Sequence, residues 1–360
     1  MATPFERTRA LLRQGVEEGV FPGAVVLVAL RGEVMLHEAA GMRQTIPEPL
    51  PAHLSVVYDL ASLTKPLATA LVLGRLVAEG RLTFETRVGE FLPAPPQKAE
   101  ITLAQLASHT SGLPAWRPYF HRLLSAPAED RRGLLTGLVL EEPLESLPNE
   151  AARYSDPGFI LLGAALEAAT GERLDRLADR LLYRPLGLSL HFRPLGEAAP
   201  AAEVAATENC PLRGRVLVGE VHDETCWAAG GVCGHAGLFG TAADVARLLL
   251  HLRQVVRGEA EGIVPAQVLR RLFARRATPR GTTWGLGFDH PNRVGSSAGR
   301  LLSRRAVGHL AFTGCSFWLD LEHDLLVVLL SNRVHPVRDN DAIKRLRPRL
   351  HEAAYKDALG

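Results

Sequence analysis

A serine and a lysine stand three residues apart where an apolar helical stretch begins. They are Ser62 and Lys65 in the segment YDLASLTKPLATALVLGRLVAEG, residues 58–80. The chain has 41 basic residues, of which four are lysine and all the others arginine. Lysine becomes a base when its pKa is lowered, whereas arginine stays protonated in proteins. A lysine kept in this arginine-rich chain therefore indicates a position where a proton has to be released.

The predicted helix explains how the two side chains can act together. Positions i and i+3 lie on the same side of a helix, and the free N–H groups of its first turn favour negative charge. Ser62 can then attack a carbonyl while its own N–H holds the oxyanion, and burial with the helix dipole is expected to lower the pKa of Lys65. The alternative is that Ser62 only caps the helix and Lys65 lies on its surface. The tetrapeptide alone does not exclude this alternative.

Two more motifs stand further along the chain. Residues 154–156, Tyr-Ser-Asp, precede a Pro-Gly pair and an apolar helix, and His309 lies on a predicted strand near the C-terminus. With the Ser-x-x-Lys pair they follow the order and rough spacing of the three motifs of the serine β-lactamase and penicillin-binding superfamily. The chain resembles the class C β-lactamase-like serine hydrolases, which include esterases and D-amino-acid peptidases. Seven segments carry the resemblance in the family's order: FPGAVVLVALRGEV, YDLASLTKPLATAL, ITLAQLASHTSGLP, YSDPGFILLGAALEAATG, GHAGLFGTAADVARLL, WGLGFD and LLSNR.

The resemblance implies a role for each matching residue. Ser62 is the expected nucleophile, Lys65 its base, and Tyr154 a member of the proton relay to the leaving group. The N–H groups of Ser62 and Phe312 are expected to hold the oxyanion. Asp156 stands where many members have asparagine, and we expect it either to repel a substrate carboxylate or to pair with Lys65.

The third motif departs from the family's pattern. The family has Lys-Thr-Gly or His-Thr-Gly on a strand that lines the site, whereas this chain has His309-Leu310-Ala311. His309 keeps a group that can become a cation, Leu310 lacks the hydroxyl, and Ala311 adds a methyl group. We therefore expect weak recognition of β-lactams and of D-Ala-terminal peptides, while acyl transfer itself is retained.

Two loops in the middle of the chain contain further polar side chains. GEVHDE and GHAGLFG carry His222, Asp223 and His235, and their spacing fits no zinc motif. We expect His222 and His235 to shape the substrate pocket, and we expect neither a metal nor a cofactor. His109, at a predicted helix end before a glycine, is expected to be structural.

The elements predict one α/β architecture. Strand patterns occur near both chain ends and a helical block lies between them, which favours an antiparallel sheet built from both chain ends, flanked by helices, with an inserted mainly helical lobe. The resemblance implies the β-lactamase/transpeptidase-like fold, which has this architecture. The predicted division is residues 1–61 together with 281–360 for the sheet lobe and 62–280 for the helical lobe, with the site in the crevice between them.

Individual elements follow from local patterns. A helix is predicted over residues 4–19, a hairpin over 23–41, and a helix from Ser62 to a glycine cap at Gly80. Residues 191–240 are expected to form long loops. Strands are predicted for 282–290, 306–312, 315–323 and 324–333, and a final helix for about 339–357.

Composition excludes several classes of function. A net charge of +2 indicates no nucleic-acid partner, and the arginine-rich runs RRGLL, LRRLFARR and KRLRPRL are interpreted as solvated helix faces. We find no signal peptide and no membrane-spanning apolar run, and four cysteines without a CxxC spacing predict a reduced, cytoplasmic protein. The sequence leaves the oligomeric state open.

These observations predict a serine hydrolase that works through an acyl-enzyme on a small-molecule ester or amide. A carboxylesterase is the first choice. A peptidase or amidase acting on D-amino-acid or cell-wall peptides, and a β-lactamase, are the alternatives. A binding protein that keeps the fold without turnover is the alternative from another class, and only the altered third motif favours it.

Overall fold

The computed structural model describes residues 4–198, 203–292 and 294–360. Its strands form a six-stranded antiparallel sheet in the order β3-β2-β1-β11-β10-β9, a three-stranded sheet in the order β4-β8-β5, and the pair β6-β7. The strands are β1 (Gly23–Leu30), β2 (Glu33–Gln44), β3 (Leu50–Pro51), β4 (Tyr58–Asp59), β5 (His191–Phe192), β6 (Ala206–Cys210), β7 (Arg215–Val218), β8 (Leu238–Gly240), β9 (Ala306–Leu310), β10 (Ser316–Asp320) and β11 (Leu325–Ser331).

Helices fill the remainder of the fold. The α-helices are α1 (Glu6–Glu17), α2 (Leu71–Ala78), α3 (Pro96–Ala99), α4 (Leu103–Ala107), α5 (Phe120–Leu124), α6 (Arg131–Glu141), α7 (Asp156–Thr170), α8 (Leu174–Ala178), α9 (Glu224–Ala228), α10 (Ala242–Arg257), α11 (Ala266–Phe273) and α12 (Ile343–Leu359). Short 3₁₀ turns lie at Ala61–Leu63, Val88–Glu90, Ala128–Asp130 and Arg184–Leu186, and π-helical turns at Lys65–Ala70 and Asp179–Tyr183.

The large sheet is built from both chain ends, as predicted. Strand β1 pairs antiparallel with β11, with Val26 opposite Leu329, and both strands are apolar along their length because both sheet faces are covered. Helices α1 and α12 pack on one face. On the other face lies the main core, to which α2, α7 and α10 contribute.

Residues from both predicted lobes share this main core. Helix α10 belongs to the 62–280 block by sequence, yet it packs directly on β1 and β11. The helical block therefore packs on the sheet, and both the block and the sheet support a site that lies between them.

Three local predictions were wrong. Residues 282–290 form no strand beyond one bridge between Asp289 and Gly308, because the N–H groups of Leu286 and Gly287 donate to Leu272 and Ala107 instead of to a neighbouring strand. Residues 191–240 contain the four short strands β5–β8 where loops were expected. The helix from Ser62 is not uniform, since a 3₁₀ turn and a π-helical turn precede α2.

The helical stretch Ala61–Ala78 has the length and the apolar composition of a membrane span, although no such span was expected from the sequence. Of this stretch, 78% is buried inside the protein, and buried core helices of soluble proteins can have the same length and apolar composition. Its burial is explained here by packing against the neighbouring helices. The cytoplasmic location stays a prediction.

Two glycines in different surroundings test how tightly the helical block is packed. A Cβ on Gly234 would lie 2.0 Å from the carbonyl oxygen of Phe159 in α7, whereas a Cβ on Gly133 in α6 would meet no atom within 4 Å. Gly234→Ala is expected to lower the free energy of unfolding by about 1–3 kcal/mol through overpacking. Gly133→Ala, the matched control, is expected to raise it by about 0.5–1 kcal/mol. Urea unfolding midpoints measure both, and equal midpoints for the two variants would contradict this packing.

Candidate active site

Ser62 lies on a tight turn that a buried carboxylate holds in place. Asp59, at the end of β4, accepts the N–H of Ala61 at 2.8 Å and the N–H of His222 at 2.7 Å. Ala61 has φ of 42°, in the left-handed region that is unfavourable for a residue with a side chain. The Asp59 hydrogen bonds stabilise this conformation and so fix the position of the serine that follows.

Lys65 is completely buried and connects three parts of the chain. Its Nζ donates to Ser62 Oγ at 3.2 Å, to the Tyr154 hydroxyl at 2.6 Å and to the His235 carbonyl oxygen at 3.2 Å. The structure thus brings the predicted nucleophile, base and relay residue together. A lysine on the helix surface, the alternative left open by the sequence, is excluded by the burial of this side chain.

Asp156 pairs with Lys65, which was one of the two roles expected for it. Its Oδ1 lies 2.7 Å from Lys65 Nζ, in the first turn of α7. The contact is an ion pair, which Lys65 makes in addition to its hydrogen bonds to Ser62, Tyr154 and His235. This carboxylate is the negative charge beside the buried ammonium.

The protonation of Lys65 differs from the sequence-based expectation. Burial lowers the pKa of Lys65, but the charge of Asp156 and the contact with Tyr154 raise it by more, so the net shift is upward. The expectation of a lowered pKa was wrong because the carboxylate that offsets burial comes from a distant part of the chain. Burial is also the main cause that raises the pKa of Tyr154, and Lys65 opposes it. At neutral pH the resting site therefore contains an ammonium and a neutral phenol.

His109 positions Tyr154 and was expected to be structural. It is buried with φ of 58°, and its Nδ1 accepts the N–H of Ser155 at 3.0 Å. Its ring centroid lies 4.7 Å from that of Tyr154 and 4.4 Å from that of Trp284. Ser155 in turn caps α7 by accepting the N–H of Gly158 at 3.0 Å.

His309 lies at the site but does not supply a positive charge. Its ring centroid is 6.0 Å from that of Tyr154, and its Nδ1 donates to the Leu310 carbonyl at 2.7 Å. Burial, and then the neighbouring Lys65, lower the pKa of His309 to about 3. The group that the sequence offered as a possible cation is thus a neutral imidazole at neutral pH.

Phe312 presents both a backbone donor and an aromatic surface. Among the residues that the structure describes, no acceptor takes its N–H, as an oxyanion donor requires. Its side chain is 48% exposed, stacks on His222 with ring centroids 5.7 Å apart, and lies under the guanidinium of Arg333. The ring is therefore held in place while one side of it faces solvent.

A cavity of about 300 Å³ opens beside Ser62. Trp116, which is 50% exposed, and Phe312 contribute aromatic walls to it, and Asp156 lines it as well. Its other lining residues are Ala61, His222, Asp223, Glu224, His235, Ala236 and Arg338.

Ion pairs hold the polar walls of this cavity. His235 Nε2 lies 3.1 Å from Asp223 Oδ1. Burial lowers the pKa of His235, but the charge of Asp223 outweighs burial and raises that pKa to about 10. Burial raises the pKa of Asp223, but His235 outweighs it and holds that pKa below its usual value. His222 Nε2 lies 3.2 Å from Glu208. His222 and His235 both line this cavity. In residues 4–198, 203–292 and 294–360 no three His, Cys, Asp or Glu side chains converge as a metal site.

Three residues of the site had no signal in the sequence. Asp59 holds the turn before Ser62, and Glu208 and Arg338 stabilise the wall behind His222, with Arg338 Nε donating to Glu208 at 2.7 Å. Glu208 and Arg338 act through contacts with residues far away in the chain, and Asp59 combines a local bond to Ala61 with a distant bond to His222, so no local motif marks them.

Relatives with similar sequence or structure are known. The chain is 30% identical to a protein of Escherichia coli strain K12 named putative D-alanyl-D-alanine carboxypeptidase, over 91% of this chain and 82% of that protein. Among solved structures it is similar to EstCE1, described as a hydrolase with promiscuous acyltransferase activity, with a TM-score of 0.76, 23% identity and coverage of 97% and 98% of the two chains. It is also similar to the octameric penicillin-binding protein homologue from Pyrococcus abyssi, with a TM-score of 0.73, 20% identity and coverage of 97% and 76%.

A family model covers nearly the whole chain and includes all the residues gathered around Lys65. The Beta-lactamase model matches residues 8–351. With the E. coli relative at 30% identity, this match shows that the chain belongs to the beta-lactamase family.

Proposed function

We propose that this protein is a serine hydrolase that forms an acyl-enzyme on Ser62 and that acts mainly as a carboxylesterase on small uncharged esters. The convergence of Ser62, Tyr154 and Asp156 on the buried Nζ of Lys65 carries the proposal. A buried ammonium that contacts a serine hydroxyl and a phenol is the arrangement that moves protons to and from a nucleophile.

The reaction begins when the Lys65–Tyr154 pair loses one proton. Lys65, then neutral, takes the proton of Ser62 Oγ as that oxygen attacks the ester carbonyl. The N–H groups of Ser62 and Phe312 hold the oxyanion. Tyr154, 2.6 Å from Lys65 Nζ, gives its proton to the leaving alkoxide oxygen and takes in return the proton that Lys65 received from Ser62. Water then attacks the acyl-enzyme, and the same groups return the protons in reverse order.

The charge around the cavity supports an uncharged substrate. Recognition of a carboxylate needs a cation or a hydroxyl donor, and here His309 is neutral and Leu310 has no hydroxyl. Arg338 and protonated His235 line the cavity as well. Arg338 forms ion pairs with Glu208 and Glu224, and His235 forms one with Asp223. The half-exposed rings of Phe312 and Trp116 offer apolar surface to an acyl or alkyl group.

A peptidase acting on D-amino-acid or cell-wall peptides is the second candidate, and the printed name of the E. coli relative favours it. β-Lactam hydrolysis is a weaker candidate, because a β-lactam carries a carboxylate and neither neutral His309 nor Leu310 can bind it. A binding protein without turnover is disfavoured, because the residues around Lys65 are all present and in contact.

Ser62→Ala tests the proposal itself. It is expected to abolish ester hydrolysis and labelling by a fluorophosphonate probe while the protein stays folded, because the hydroxyl lies within the 3₁₀ turn Ala61–Leu63, caps no described helix and accepts a hydrogen bond from Lys65 Nζ. A thermal unfolding curve verifies that the variant is folded. A panel of short p-nitrophenyl esters, nitrocefin and D-Ala-D-Ala peptides measures the turnover. If Ser62→Ala kept near-wild-type turnover on every substrate that the wild type hydrolyses, Ser62 would not be the nucleophile.

Lys65→Arg separates a base from a charge. Arginine keeps the positive charge beside Asp156 but cannot give up its proton near neutral pH. The expected kcat/KM is as low as that of Lys65→Ala, about 10²–10⁴-fold below wild type. A melting curve for each variant verifies folding, and substantial activity in a folded Lys65→Arg protein would make Lys65 a purely electrostatic residue.

The raised pKa of Lys65 predicts a pH dependence. Because the active form has lost a proton that the resting site holds tightly, kcat/KM for an ester should rise with pH from about pH 6 into the alkaline range. Asp156→Asn removes the charge that raises the pKa of Lys65. The rising limb of the pH profile, which is the range in which kcat/KM increases with pH, should therefore move to lower pH. Each unit of that shift raises kcat/KM below the limb by about tenfold.

Asp156→Glu is the control for this prediction. It keeps a carboxylate near Lys65, so its rising limb should stay close to that of the wild type. A limb that stays in place or moves to higher pH in Asp156→Asn would show that Asp156 does not set the protonation of Lys65.

The third motif predicts substrate preference. Uncharged short-chain esters should have a much higher kcat/KM than nitrocefin, because one missing hydrogen bond to a charged group corresponds to about 1.5–3 kcal/mol, or roughly ten- to a hundredfold. The double change Leu310→Thr with Ala311→Gly should raise nitrocefin acylation more than ester hydrolysis. Efficient nitrocefin hydrolysis by the wild type would contradict this view of the motif.

A further inference from the structure

One part of the chain is much more basic than the whole. From residue 253 to residue 305 there are eleven arginines and three carboxylates, although the net charge of the protein is only +2. The run LRRLFARR in this segment was interpreted as a solvated helix face. In the structure, several of these arginines surround a cleft.

The cleft has a volume of about 560 Å³ and lies between the C-terminal end of α11 and the start of β9. Phe273 and Leu321 give it an apolar surface. Of the residues that the structure describes along it, none is acidic. Its polar walls consist of Arg257, Arg270, Arg275, Arg304, Arg305 and His290.

Carboxylates outside the cleft neutralise only part of this charge. Arg257 pairs with Glu259 at 2.7 Å and with Asp324 at 3.7 Å. Arg270 donates to the Val256 carbonyl at 2.8 Å, which orients its guanidinium without cancelling the charge.

Two arginines stand side by side at the start of β9. Arg304 and Arg305 are exposed and have no carboxylate partner within the described ranges 4–198, 203–292 and 294–360. With Arg270 they leave at least three positive charges around one concavity.

His290 is a second, independent observation at the same place. Its side chain lines the cleft, is 5% exposed, and has no hydrogen-bond partner at Nδ1 or Nε2 among the described residues. The carbonyl groups of Phe273, Arg304 and Ala306 lie near the ring, but none makes a well-formed hydrogen bond with it. Burial, and then Arg275, lower the pKa of His290 to about 4, so the ring is neutral. A buried polar ring without a partner is destabilising unless a ligand or water satisfies it.

We propose that this cleft binds a small anion that carries two or more phosphate groups, such as a di- or triphosphate. The planar guanidinium fork matches phosphate oxygens in a bidentate manner, and several arginines around one concavity suit a ligand with several charges. Neutral His290 donates one N–H to the same ligand. The concave shape and the apolar patch of Phe273 and Leu321 fit a small molecule better than the flat surface of a bilayer.

The site is separate from the catalytic centre. Arg304 and Arg305 precede β9, and the His309-Leu310 motif lies at its other end, roughly 15 Å away along the strand. Binding of the anion therefore does not depend on Ser62, and the Ser62→Ala variant should bind it as the wild type does.

Isothermal titration with sodium pyrophosphate and with ATP, at about 150 mM NaCl, tests the proposal. Saturable one-site binding is expected, and Arg304→Glu with Arg305→Glu should weaken it by at least tenfold. The matched control is Arg122→Glu with Arg345→Glu, which makes the same change of net charge at exposed arginines elsewhere and should leave the affinity unchanged. Arg304→Gln with Arg305→Gln gives a milder change if the charge reversal affects folding.

Three further outcomes would overturn the proposal. These are the absence of saturable binding, an equal loss of affinity in the control variant, and citrate binding as tightly as pyrophosphate. Vesicles of phosphatidylglycerol, with phosphatidylcholine vesicles as reference, form the last arm. Binding to the anionic vesicles without any binding of free pyrophosphate would assign the arginines to a lipid surface and would also reject the small-molecule site.

Discussion

The buried ammonium of Lys65 is the constraint on which the site depends. An ion removed from water is stable only when it is paired and its hydrogen bonds are satisfied. Lys65 satisfies this condition with Ser62, Tyr154, His235 and Asp156. These partners lie on three segments of the chain, namely the turn at Ser62, residues 154–156 and the loop at His235, so this one nitrogen atom connects all three.

The same interaction bears on the proposed reaction. Asp156 stabilises the ammonium and so makes the burial of Lys65 tolerable, but it also raises the pKa of Lys65. It therefore opposes the deprotonation that the proposed reaction requires. An asparagine at this position would leave the ammonium with less compensation and the amine with a lower pKa.

The walls of the cavity are held by contacts outside the reaction. Phe312 stacks on His222, which contacts Glu208, and Arg338 connects Glu208 with Glu224. These ion pairs neutralise most of the charged side chains in the cavity walls around Ser62. The consequence is a cavity with fixed aromatic walls and little unpaired charge, although it contains several ionisable side chains.

The sequence by itself determined the general architecture. The spacing of Ser62 and Lys65, the order of the three motifs and the strand patterns at both chain ends predicted the fold and the residues that meet around Ser62. These signals are local, since they depend on helix periodicity, alternation and the types of neighbouring residues. The prediction for Lys65 failed because its pKa depends on a charge that reaches it only after folding.

Only the tertiary structure decided the environment of each group. It made His309 a neutral, buried imidazole, placed Asp59 under the turn at Ala61, and turned residues 282–290 from a predicted strand into a loop bonded to Leu272 and Ala107. It also gathered Arg270, Arg304 and Arg305 around one cleft, although each looks like a solvated residue in the sequence. Burial and electrostatic interaction depend on distances between residues far apart in the chain, and these distances exist only in the folded protein.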